Sequence, residues 1–81
     1  MAPRISPLEP AAIDPALRPY LERAEARGAP NALLLRVMAH DPSSLRIFYE
    51  AWEAAFYGGQ VDHALKELMR VRMALLRGCR Y

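Results

Sequence analysis

Apolar positions recur along this chain at helical spacing, and the breaks between the runs carry helix-start and helix-stop residues. Leu17, Leu21 and Ala24 lie three and four residues apart, the period that puts side chains on one face of an α-helix. Asp14-Pro15 stands before them, where an aspartate caps and a proline fits the first helical position. Pro19 falls close enough to that start to be tolerated with a kink, and Gly28 closes the run. Pro30-Asn31 leads into Leu33, Leu34, Leu35, Val37 and Met38, a short helix apolar enough to be buried on most sides. Asp41-Pro42 repeats the cap-and-proline start. Leu45, Phe48, Tyr49, Trp52 and Phe56 follow at spacings of three and four, and Gly58-Gly59 stops them. Trp52 and its aromatic neighbours read as core. Asp62 is placed to cap a last helix carrying Leu65, Leu68, Met69, Leu75 and Leu76, which Gly78 ends with Arg77 in its last turn. Four helices and no strand predict an all-α fold.

The prolines at positions 3, 7 and 10 set the first segment apart. Proline removes backbone donors and fixes φ, so residues 1–14 are expected as an extended arm, pinned to a surface by Ile5 and Leu8. Residues 15–81 then form one small helical domain, whose length allows only a marginal core. Yet 53% of the chain is hydrophobic. Four short helices cannot hide that much apolar surface from water on their own, so a homo-oligomer joined through apolar helix faces is expected.

Charge and cysteine count narrow the chemistry. The net charge of +2, from 11 basic and 9 acidic residues, is too even to argue for a nucleic-acid partner. No signal peptide and no membrane-spanning stretch is read in the sequence, and a single cysteine excludes an internal disulfide, so a cytoplasmic protein off the membrane is expected. Lys66, Arg70, Arg72, Arg77 and Arg80 crowd the last third, mostly as a solvated helix face. Arg77 and Arg80 also surround Cys79 with positive charge, the setting in which a thiol reacts. His63 stands four residues before Glu67, where the two side chains can pair on one helical face. Two such ligands are too few for zinc, so no metal site is expected. His40, at a helix end where a cation suits the carbonyls, reads as structural.

Pro3-Arg4-Ile5, Arg27-Gly28-Ala29-Pro30-Asn31 and Leu35-Arg36-Val37-Met38-Ala39-His40 occur in that order. Trp52-Glu53 follows, then Tyr57-Gly58-Gly59, Leu65-Lys66-Glu67-Leu68 through Arg72, and Leu76-Arg77-Gly78-Cys79-Arg80-Tyr81. This order resembles the front part of the alkylhydroperoxidase D (AhpD)/carboxymuconolactone decarboxylase family. In the AhpD branch a glutamate precedes a Cys-x-x-Cys motif by twelve positions and a histidine follows it; Glu67 stands twelve positions before Cys79. The resemblance implies a four-helix fragment of an AhpD-like helical domain. It also implies a peroxiredoxin-type antioxidant oxidoreductase that reduces peroxides through a dithiol, with no bound cofactor and a dithiol reductant as partner. Cys79 and Glu67 carry over as catalytic positions, with His63, Arg77 and Arg80 in support. The second redox residue, a cysteine or its selenocysteine counterpart, would stand after Tyr81, as would the relay histidine and the later helices. The domain is therefore read as incomplete. Two alternatives accompany this reading. One is a non-catalytic oligomerising helical module. The other is the decarboxylase branch, in which arginines would bind the carboxylates of a lactone acid.

Overall fold

A computed structural model describes residues 4–80, so Pro3 of the arm and Tyr81 of the closing motif lie outside the described residues. All regular structure among those residues is helical. It comprises α1 (Arg18–Ala26), α2 (Leu33–Met38), α3 (Pro42–Tyr57) and α4 (His63–Arg77), with short 3-10 turns at Pro10–Ala12, Pro15–Leu17 and Pro30–Ala32. The protein is all-α, as the spacing predicts. The chain divides into two units, residues 1–49 and 50–81, with the division falling inside α3.

In the first unit the Asp14-Pro15 signal acts as expected. The Asp14 carboxylate accepts a hydrogen bond from the Ala16 amide at 2.9 Å, satisfying one of the donors a helix start leaves open. Pro19 does not kink a longer helix. Instead the chain winds first as the tighter 3-10 turn and becomes α-helical only at Arg18, so that Pro19 falls within the first turn of α1. Ile13, Leu17, Leu21, Ala24, Ala32, Leu35, Ala39, Leu45 and Tyr49 are buried, Leu17 and Leu45 completely. Burial on that scale stabilises by about 1.5–3 kcal/mol per large aliphatic side chain. Tyr20 meets Tyr49 edge-on at 5.7 Å, and the Arg23 guanidinium lies over the Tyr20 ring.

Three expectations change here. Of α2 only Leu35 is fully buried; Leu33, Val37 and Met38 are half-buried and Leu34 is exposed. The arm is not extended throughout, because it closes a 3-10 turn at Pro10–Ala12. Ile5 is exposed and Leu8 half-buried, so the arm's apolar anchor is the buried Ile13, and polar groups hold the stretch before it. The Leu8 amide donates to the Arg36 carbonyl at 3.1 Å, Arg36 Nε donates back to the Leu8 carbonyl at 2.8 Å, and His40 Nε2 meets the Ser6 carbonyl at 2.7 Å. His40 is structural, but it holds the arm rather than the carbonyl ends of its own helix. Between α1 and α2, Asn31 and Ala32 both take positive φ, 53° and 47°. Asparagine tolerates that region; for alanine it costs roughly 1–2 kcal/mol, offset here by complete burial of the methyl group.

The second unit is a helical hairpin of the C-terminal part of α3 and α4. Its turn needs glycine at both Gly58 and Gly59. A Cβ on Gly58 would sit 2.8 Å from the Ala54 carbonyl oxygen, and Gly59 has φ of 86°. Asp62 stands at the start of α4 in an extended conformation but makes no side-chain cap, contrary to the expectation. No residue of α4 is buried.

Candidate functional site

α4 carries every candidate. His63 opens it, Glu67 lies one turn on, and Arg77 closes it, with Cys79 and Arg80 just beyond. The expected His63–Glu67 pair does not form. His63 Nδ1 bonds instead to the Phe56 carbonyl at 3.1 Å, across the hairpin turn. A carbonyl only accepts, so the ring carries its proton on Nδ1. The imidazole stacks on Tyr57 at 4.6 Å and stands edge-on to Phe56 at 4.8 Å. Glu67 pairs with Arg70 at 2.6 Å, one turn further along its own helix. Both side chains are more than a third exposed, so that pair contributes little to stability.

Lys66, which spacing alone did not single out, turns back over the end of α3. Its ammonium donates to the Ala55 carbonyl at 2.5 Å and to the Gly58 carbonyl at 2.6 Å. A helix leaves its last carbonyls without intrahelical donors, and a cation placed there satisfies them. Lys66 and His63 together latch the hairpin. The sequence holds one faint signal for this: a cation a few residues beyond a double-glycine helix stop. Beside the latch, Trp52 stacks on Phe56 at 4.5 Å and Arg70 lies over the Phe56 ring at 5.4 Å. Met69 and Met73 complete a shallow apolar groove with these residues.

Cys79 sits at a well-defined chain reversal. Gly78 takes the left-handed conformation, φ 66°, and its amide donates to the Leu75 carbonyl at 3.4 Å. The Cys79 amide donates to the Ala74 carbonyl at 2.9 Å, the paired bonding of a glycine helix stop. The backbone of Cys79 is thus fixed while its side chain is exposed, between the exposed Arg77 and Arg80. Glu67 and Cys79 are not brought together. Ten residues of helix separate Glu67 from Arg77, about 15 Å at 1.5 Å per residue. No group of three or more His, Cys, Asp or Glu side chains that could hold a metal occurs among the described residues, and no helix is long and apolar enough to cross a membrane. Comparison with known protein families, curated proteins and solved structures finds no match to this chain.

Proposed function

We propose that this chain is a thiol-redox module of the AhpD-like kind, acting on peroxides with Cys79 as the reacting thiol. The observation that carries the reading is the exposed Cys79 side chain, fixed at the backbone past Gly78 and flanked by two arginines. Two of the family landmarks fall on structural boundaries and a third inside a helix. Arg27–Asn31 spans the turn after α1, Tyr57–Gly59 the hairpin turn, and Leu65–Arg72 the body of α4.

In the reaction the sulfur of Cys79 attacks the terminal peroxide oxygen. The O–O bond breaks, an alcohol leaves with a proton, and Cys79 becomes a sulfenic acid. A second thiol condenses with it to give a disulfide and water, and a dithiol reductant restores the starting state. Cys79 is the one cysteine of this sequence, so a thiol outside these 81 residues serves as the second. Family resemblance would make Glu67, with His63 in support, the acid–base relay, but about 15 Å of helix separates Glu67 from the end of α4, so Cys79 reacts without that relay within one copy of the chain. The cytoplasm, where thiols are kept reduced, suits the cycle. The test is peroxide consumption with a dithiol reductant by the chain and by Cys79→Ser. Loss of turnover in the variant is expected; equal rates would remove Cys79 from any mechanism.

A second reading has its own observation. Seven large apolar side chains of α4 are exposed, from Leu65 to Leu76. Faces of that kind mark association surfaces, and a module that assembles through α4 fits them with or without redox chemistry. Light scattering after size exclusion decides, and a well-folded monomer at micromolar concentration would sink this reading.

A further inference from the structure

The last carbonyls of a helix have no partner within it, so each must find a donor elsewhere. At the end of α2 the turn that follows supplies most of them: the Ala39, His40 and Asp41 amides donate to the Leu35, Val37 and Met38 carbonyls. The Arg36 carbonyl takes its donor from the arm instead, the Leu8 amide at 3.1 Å. The Arg36 side chain completes the exchange, because its Nε donates to the Leu8 carbonyl at 2.8 Å. Neighbouring strands bond in this two-way fashion; here a guanidinium replaces one of the amides. His40 Nε2 donates to the Ser6 carbonyl two residues back, and an extended chain turns residues two apart to the same edge.

What α2 reads in the arm is therefore mostly main chain. The Arg36 side chain is only 17% exposed and approaches the Glu9 carboxylate at 3.7 Å, but Glu9 is 82% exposed, so that pair adds little. Pro7 and Leu8 are half-buried, whereas Ile5, Ser6 and Glu9 are exposed. Pro7 and Pro10 keep the segment extended before it is seated, and Glu9 has the matching angles, φ −66° and ψ 142°. The buried Ile13 anchors the arm further on, so residues 6–9 can leave α2 while the core stays closed.

We propose that the end of α2, with Arg36 and His40, is a recognition seat for an extended peptide, and that the arm is its built-in competitor. The partner it fits is an extended segment with a free amide and an apolar side chain where Leu8 now lies. The test measures binding of a labelled synthetic peptide of residues 5–12 to the full chain by fluorescence anisotropy, with circular dichroism as the folding control. Leu8→Pro removes the amide donor from the chain's own arm. That variant should bind the peptide roughly tenfold tighter than the wild type, because a competitor tethered at about millimolar effective concentration is gone. The peptide with an N-methylated leucine should lose that binding. Millimolar peptide should also speed hydrogen exchange at the Leu8 amide of the wild-type chain, which reads displacement without any substitution. A folded Leu8→Pro chain that binds no tighter, or binding indifferent to N-methylation, overturns the proposal. If the variant unfolds, the wild-type exchange decides, and an unchanged rate at Leu8 overturns it.

Discussion

Leu45 leaves no surface to solvent, so truncating it opens a cavity as well as losing transfer energy. Leu45→Ala should lower stability by about 2–5 kcal/mol, read from urea unfolding of the helical signal; a loss below about 1 kcal/mol would mean that the site closes over the gap. Leu17, Leu21, Ala24, Leu45, Tyr49 and Phe56 were legible in the sequence, because a buried stripe repeats every three or four residues. Ala32 was not. Its positive φ comes from how the chain must turn between Gly28 and Leu33, and alanine gives no local sign of that conformation. The partner of His63 escaped for a related reason. Spacing shows what lies one turn away on the same helix, whereas the Phe56 carbonyl arrives from across a turn.

At the scale of the element, the hairpin turn combines a steric requirement at Gly58 with the Lys66 latch. Lys66→Met keeps the packing stem and removes the two donors. It should cost about 1–2 kcal/mol and speed hydrogen exchange in the last turn of α3, leaving α1 unchanged. Equal exchange in the two proteins would show that water serves those carbonyls as well. The Gly78 stop was plain from sequence and is present, but the Asp62 cap was not borne out. Asp14 and Asp62 both stand before a helix with nearly the same backbone angles, φ −48°, ψ 126° and φ −58°, ψ 135°, yet only the Asp14 carboxylate meets an amide, so the difference lies in the side chain and not in the backbone that the sequence pattern reads. The candidate residues were legible singly as chemical types. Their separation along α4 was not, since a spacing of twelve does not say whether the chain runs straight or folds back.

For the whole molecule, the surplus of apolar residues was visible in composition, but which face stays open was not. That face became identifiable only once His63, Lys66 and Arg70 were seen to turn inward. If α4 is covered by another copy, folding and assembly are linked, and the thermal midpoint should rise with protein concentration; a midpoint constant across a hundredfold dilution series argues for a free chain. The Lys66 latch has one more consequence, because Lys66 is the only lysine in the sequence. Its nitrogen is occupied by two carbonyls, so an amine-acylating reagent should modify it slowly while the hairpin is closed. Denaturant should accelerate the modification. A mass shift at one side chain thus becomes a clock for hairpin opening, needing no introduced label.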